Sequence, residues 1–117
     1  MAYLDSFVIA VPKGKIDAYK ELSRLTARIW IEHGALSYTE SLGDDVPYGE
    51  VTSFPRAVQA SADEVVVLGI VTYPSREARE EVLAKVRTDQ RLAEAYADPP
   101  FDGKRLIFGG FTTFHKA

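Results

Sequence analysis

The chain contains no cysteine, one methionine, one tryptophan and two histidines among its 117 residues. Without thiols there is no disulfide framework, no thiolate metal site and no cysteine nucleophile, so stability must come from packing. Lysine and arginine are scattered and form no run, and the formal net charge is −3 with a pI near 5.4. A phosphate backbone or an anionic lipid surface finds no basic patch here, so neither nucleic acid nor membrane is expected as a partner. No stretch approaches the ~18 uninterrupted apolar residues of a membrane span. The opening Met1-Ala2-Tyr3-Leu4-Asp5 lacks the basic and apolar parts of a secretory leader, and the expectation is a cytoplasmic protein. Gly-x-Gly-x-x-Gly, Gly-x-x-x-x-Gly-Lys-Ser/Thr and His-Glu-x-x-His are also absent, which removes nucleotide, phosphate-loop and zinc-protease readings.

What is present is ordinary globular material, 46% apolar and 26% charged, in a length that suits one domain over 1–117. Tyr3 to Val11 is rich in aromatic and β-branched residues and is stopped by Pro12 and Gly14, which predicts a strand. From Lys15 to His33 the period becomes helical. Tyr19, Leu22, Leu25, Thr26, Ile29, Trp30 and His33 share one side, and Gly34 follows where a left-handed cap belongs. Ala35 to Gly43 alternates as a second strand. Val65 to Tyr73 has no polar face and reads as a third strand buried on both sides. Ser75 caps a second helix with the stripe Ala78, Val82, Leu83 and Val86, and Asp89 caps a short one over Gln90 to Ala97. Leu106 to His115 is the last strand, in which Gly109-Gly110 marks a bulge or a close approach.

The order strand, helix, strand, strand, helix, strand predicts an α+β, ferredoxin-like βαββαβ fold, with a four-stranded antiparallel sheet and both helices on one face. The other face is then left uncovered, although Leu4, Val8 and Ala10 oppose Phe7, Ile9 and Val11, and Ile107 and Phe111 oppose Leu106, Phe108 and Phe114. Such a face exceeds the ~300–600 Å² apolar patch usual for a monomer, so a second copy is expected to cover it in a homodimer.

Four segments carry a family resemblance: Trp30-Ile31-Glu32-His33-Gly34-Ala35, Gly43-Asp44-Asp45, Val51-Thr52-Ser53-Phe54-Pro55 and Pro100-Phe101-Asp102-Gly103-Lys104-Arg105. With them the chain resembles the YbaA-like family of bacterial proteins of unknown function, from Tyr3 to about Phe114. The resemblance implies the dimeric α/β-barrel fold and brings no established reaction. That wider superfamily is similar in shape to cofactor-free monooxygenases of quinone-forming pathways, haem-degrading enzymes, small lactone isomerases and plain ligand-binding domains, and fold alone does not choose among them.

Among candidate functional residues, His33 lies on the inward side of the first helix beside Trp30, near Tyr38 in sequence. It can act as a base or bind a ligand, or it can cap the helix by donating to a terminal carbonyl. Trp30 can stack on a flat ligand or fill the core. Asp5, a charge in an apolar strand, is placed at the strand's N-terminal edge in contact with water. Asp44 to Asp63 is longer than a hairpin needs and is expected to be ordered, anchored by Val46, Tyr48, Val51, Phe54 and Val58. Arg56 can pair with an anionic ligand or a partner's carboxylate. Asp44, Asp45 and Glu50 lack a calcium-loop pattern, so no metal is expected, and no cofactor either.

The preferred reading is a small-molecule binding protein with its pocket between the sheet and the first helix, lined by Trp30, His33, Tyr38 and the long loop with Phe54 and Arg56. His33 is the candidate for catalysis. The alternatives are a cofactor-independent, monooxygenase-like enzyme acting on an aromatic substrate, and a non-catalytic dimeric interaction module. A cavity with His33 on its wall favours binding; a filled interior favours the module.

Overall fold

The computed structural model describes residues 2–117. Its strands are β1 (Tyr3–Pro12), β2 (Ser37–Leu42), β3 (Glu64–Tyr73) and β4 (Ile107–Thr112), and its helices are α1 (Ile16–Glu32), α2 (Phe54–Ala57), α3 (Arg76–Val86) and α4 (Gln90–Ala95). The sheet runs β2-β3-β1-β4 with every neighbouring pair antiparallel, which is the ferredoxin-like order expected of the sequence. β1 pairs β3 along its length, from Tyr3 opposite Tyr73 to Pro12 opposite Glu64. Among the described residues no helix is long and apolar enough to cross a membrane.

Local chemistry fixes the helix ends. Gly34, with φ +119°, follows α1; its N–H donates to the carbonyl of Ile31, and that of Ala35 reaches back to Trp30. This is the paired-bond termination that a left-handed glycine permits. Ser75 accepts from the Ala78 N–H to start α3, and Asp89 from the Arg91 N–H to start α4.

Strand alternation sends Tyr3, Phe7, Ile9 and Val11 of β1 towards the helices, with Val67, Val71 and Tyr73 of β3. These pack with Tyr19 and Ile29 of α1 and Val82 and Val86 of α3. Two glycines are demanded by rings on that face. A Cβ on Gly69 would stand 1.9 Å from the Phe7 ring, and one on Gly110 would stand 2.3 Å from the Tyr3 hydroxyl oxygen. The β1–β4 register runs unbroken past Gly109 and Gly110, so the pair marks a close approach and not a bulge.

The second face departs from expectation. It is not left bare by the fold, because residues 44–63 fold across one end of it. There Val46, Val58 and Ala60 pack on Val8, Ala10, Val66 and Leu68. The segment contains α2, whose cap Ser53 accepts from the Arg56 N–H. A run of anchors with no regular period gave no sign of which face it would seek. On its helix side β3 is accordingly buried from Val67 to Tyr73, with Val65 half-buried, while on the other side Val66 is buried and Leu68, Ile70 and Thr72 are half-buried. Towards β4 this face stays open, with Ile107 44% and Phe111 55% exposed.

Candidate functional site

Between the helix face of the sheet and α1, α3 and α4 lies a cavity of about 490 Å³. Phe7, Ile9 and Val71 supply its sheet wall, Trp30 and Leu83 its helix wall, and Tyr38 of β2 one side. Trp30 and Tyr38 meet edge-on, with centroids 5.9 Å apart at 62°, and Phe7 lies 6.3 Å from Tyr38 at 52°. Aromatic pairs tilted in this way leave faces for a flat guest.

One end of the cavity is polar. Arg79 of α3 donates to both oxygens of Asp5, from Nε at 3.1 Å and from Nη2 at 2.7 Å. The Tyr73 hydroxyl donates to Asp5 at 3.0 Å and accepts from the Trp30 indole N–H at 3.1 Å. Asp5 is therefore not at a watery edge: its side chain is 14% exposed and that of Arg79 13%. A carboxylate on a central strand is tolerated there because a guanidinium satisfies it bidentately. Hydrogen bonding to Asp5 holds Arg79 above its usual pKa, and burial, followed by the charge of Asp5, pushes the Tyr73 phenol up. Arg79 continues the stripe of Val82, Leu83 and Val86 at helical spacing. An unmatched acid in an apolar strand and a cation on an apolar stripe were together the sequence signal for this pair.

The tyrosines around the cavity differ in what their hydroxyls do. Tyr19 and Ser23 both donate to Glu40. Thr26 donates to the Leu22 carbonyl at 2.8 Å, so the Tyr96 hydroxyl donates to Thr26 across 2.6 Å. The Tyr38 hydroxyl has no hydrogen-bond partner among the described residues, and burial raises its pKa, with the charge of Glu40 adding to the effect.

His33 is the C-cap residue of α1, and its Nε2 stands 2.8 Å from Asp89 Oδ2. Asp89 also receives Arg91, which reaches Glu32 at 2.7 Å. Hydrogen bonds from Arg91 and then from His33 hold the Asp89 carboxyl well below the usual carboxylate range. His33 thus ties the end of α1 to the start of α4, in place of donating to a terminal carbonyl, and it is not among the residues lining the cavity. Asp89, its partner, is.

Of the residues singled out in the sequence, Trp30 and Tyr38 come together on the cavity wall. Phe54 and Arg56 lie with the loop on the opposite side of the sheet. Arg56 donates to the carbonyls of Tyr48 at 2.9 Å and Gly49 at 3.0 Å and stacks 3.8 Å above the Tyr48 ring, so its charge closes the loop on itself. Beneath that loop is another cavity of about 520 Å³, lined by Gly43, Val46, Tyr48, Pro55, Ala60 and Val66 among others. The two spaces are similar in size, but only the helix-side one has clustered aromatic walls and a charged pair set into them.

The sheet order and the helices on one face define the ferredoxin-like class, and solved structures share it. Rv0793 from Mycobacterium tuberculosis superposes with a TM-score of 0.61 at 13% identity, covering 100% of this chain and 99% of that one. A NIPSNAP family protein from Agrobacterium tumefaciens gives 0.60 at 16%, covering 96% and 92%. A dimeric ferredoxin-like protein from an uncultured marine organism gives 0.57 at 10%, covering 100% of both. At such identities the likeness is one of fold.

Within that class the chain belongs to the DUF1428 family of proteins of unknown function, whose model matches residues 2–103. The uncharacterized protein YbaA of Escherichia coli K12 is 46% identical over 111 residues, 95% of each chain, and that of Shigella flexneri matches equally. The family resemblance seen in the four sequence segments is borne out.

Proposed function

We propose that the chain acts as a homodimer that binds a small, flat, largely apolar molecule in the helix-side cavity. The carrying observation is the wall made by Phe7, Trp30 and Tyr38 around about 490 Å³ of space, with Asp5 and Arg79 at one end. Volumes of ~300–1,000 Å³ with apolar walls and a few placed polar groups are those of small-molecule sites. His33, engaged with Asp89, supports such a site by joining the two helix ends that frame it. Dimerisation rests on the open end of the second face, where Ile107 and Phe111 are exposed, and on the dimeric assembly of one structural relative.

The test is a thermal-shift screen of uncharged two- and three-ring aromatic compounds. A ligand at 100 times its Kd adds about 2.7 kcal/mol, enough to raise the melting temperature by several degrees. Ala93 of α4 is exposed and lines the cavity, so Ala93→Phe adds bulk there without entering the core. Hits that stabilise the wild type and lose that effect in Ala93→Phe are the expected result. No stabilising compound, or hits indifferent to Ala93→Phe, would count against the reading.

A further inference from the structure

Resting on that reading, we infer that Tyr38 is the residue that selects the ligand, and that the ligand class is an uncharged aromatic molecule carrying a hydrogen-bond acceptor such as a ketone oxygen. The inference comes from how the polar groups of the cavity are already committed. Tyr19 is given to Glu40, Tyr96 to Thr26, and the indole N–H of Trp30 to Tyr73. Asp5 and Arg79 neutralise each other. Asp89 is held by His33 and Arg91. Arg87, the remaining charged lining residue, is exposed, where water screens it.

Tyr38 is the exception. Its ring is fixed against Trp30 and Phe7, while its hydroxyl donates to nothing. Among the described residues no fully enclosed side-chain oxygen or nitrogen lacks a partner, so this hydroxyl is within reach of a water-sized guest, on a residue that lines the cavity. A hydroxyl stripped of most of its water and left without an acceptor is unfavourable, and a guest that supplies one recovers the loss. Burial keeps the phenol protonated through the neutral range, so it serves as a donor. A paired Asp5–Arg79 offers no net charge to balance an ionic guest, which places the acceptor on a neutral group.

The experiment compares two molecules of the same shape, 2-acetylnaphthalene and 2-isopropenylnaphthalene, which differ in having a carbonyl oxygen or a methylene at one position. Trp30 is the only tryptophan and lines the cavity, so quenching of its fluorescence reports occupancy directly. For the wild type the ketone should bind about tenfold more tightly, the scale of one net hydrogen bond. In Tyr38→Phe that preference should fall to about one, with the hydrocarbon's affinity changed by less than about twofold, since the ring remains. A ketone preference that survives in Tyr38→Phe, or equal binding of both compounds to the wild type, overturns the role of Tyr38 while leaving the cavity as a binding site. If neither compound quenches Trp30 in the wild type, the binding-site reading itself fails and this inference falls with it.

Discussion

The two faces of the sheet carry cavities of nearly equal volume, about 490 Å³ under the helices and about 520 Å³ under the loop, yet they are built on different physics. Under the helices, long regular elements hold large rings at fixed angles, and a charged pair sits among them. Under the loop the lining is mostly small and aliphatic, with Gly43, Val46, Ala60 and Val66, and the covering segment is held by Arg56 on its own Tyr48 and Gly49 carbonyls and by Arg105, which joins the Gln59 carbonyl to Glu64 of β3. Space of a given size is therefore a poor guide to binding. What distinguishes the helix side is that its walls are aromatic, and polar at defined points.

If that contrast is right, substitutions on the helix face should cost more than those on the loop. The largest effect is expected for Asp5→Ala, which leaves a mostly buried Arg79 with only the exposed Glu80, 2.9 Å from its Nη1, as a partner; breaking a buried pair costs about 3–5 kcal/mol. Denaturant unfolding measures it, and a loss below about 1 kcal/mol would show that water reaches Arg79 freely. Gly69→Ala comes next at about 1–3 kcal/mol, because the new methyl collides with Phe7 and cores resist added bulk. Val58→Ala, at the best-buried loop anchor with 1% exposure, should cost about 1–2 kcal/mol. If it outweighs Asp5→Ala, the ranking of the two faces is wrong. Ile107→Asp should leave the fold intact and convert dimer to monomer by native mass spectrometry. A variant that stays dimeric would move the interface elsewhere.

The smallest effect sharpens the comparison by pH. Glu64, at the foot of the loop, has its pKa lowered to about 2, chiefly by the hydrogen bonds from Arg105. A carboxylate depressed in the folded state contributes stability that is complete above its unfolded value near ~4.3 and is lost as pH falls through the folded value. The wild type should thus lose stability between about pH 4.5 and about pH 2 more steeply than Glu64→Gln, which lacks that titration. Parallel curves for the two proteins would remove Glu64 from the loop's support.

Much of this was legible in the chain, for reasons that can be named. The helix of Tyr19, Leu22, Ile29 and Trp30, its glycine stop and the caps Ser75 and Asp89 are local signals, and local chemistry realises them unchanged. Trp30 and Tyr38 were legible as neighbours because both lie on inward-facing positions of adjacent elements. The placement of residues 44–63 was not legible: Val46, Val58 and Ala60 follow no period, and only the three-dimensional sheet shows that Val8, Ala10 and Val66 await them. Asp5 was misplaced because its partner Arg79 is distant in sequence, and His33 found a carboxylate, Asp89, on an element whose approach no spacing reveals.

The most direct test of the account is to map where a small aromatic molecule binds. Titrating 2-acetylnaphthalene into isotopically labelled protein and following chemical shifts should perturb the Trp30 indole N–H and the resonances of Phe7, Tyr38, Val71 and Leu83, leaving Gly43, Val46, Ala60 and Val66 unmoved. Shifts confined to that second group would place binding beneath the loop and contradict the claim that the helix face holds the site.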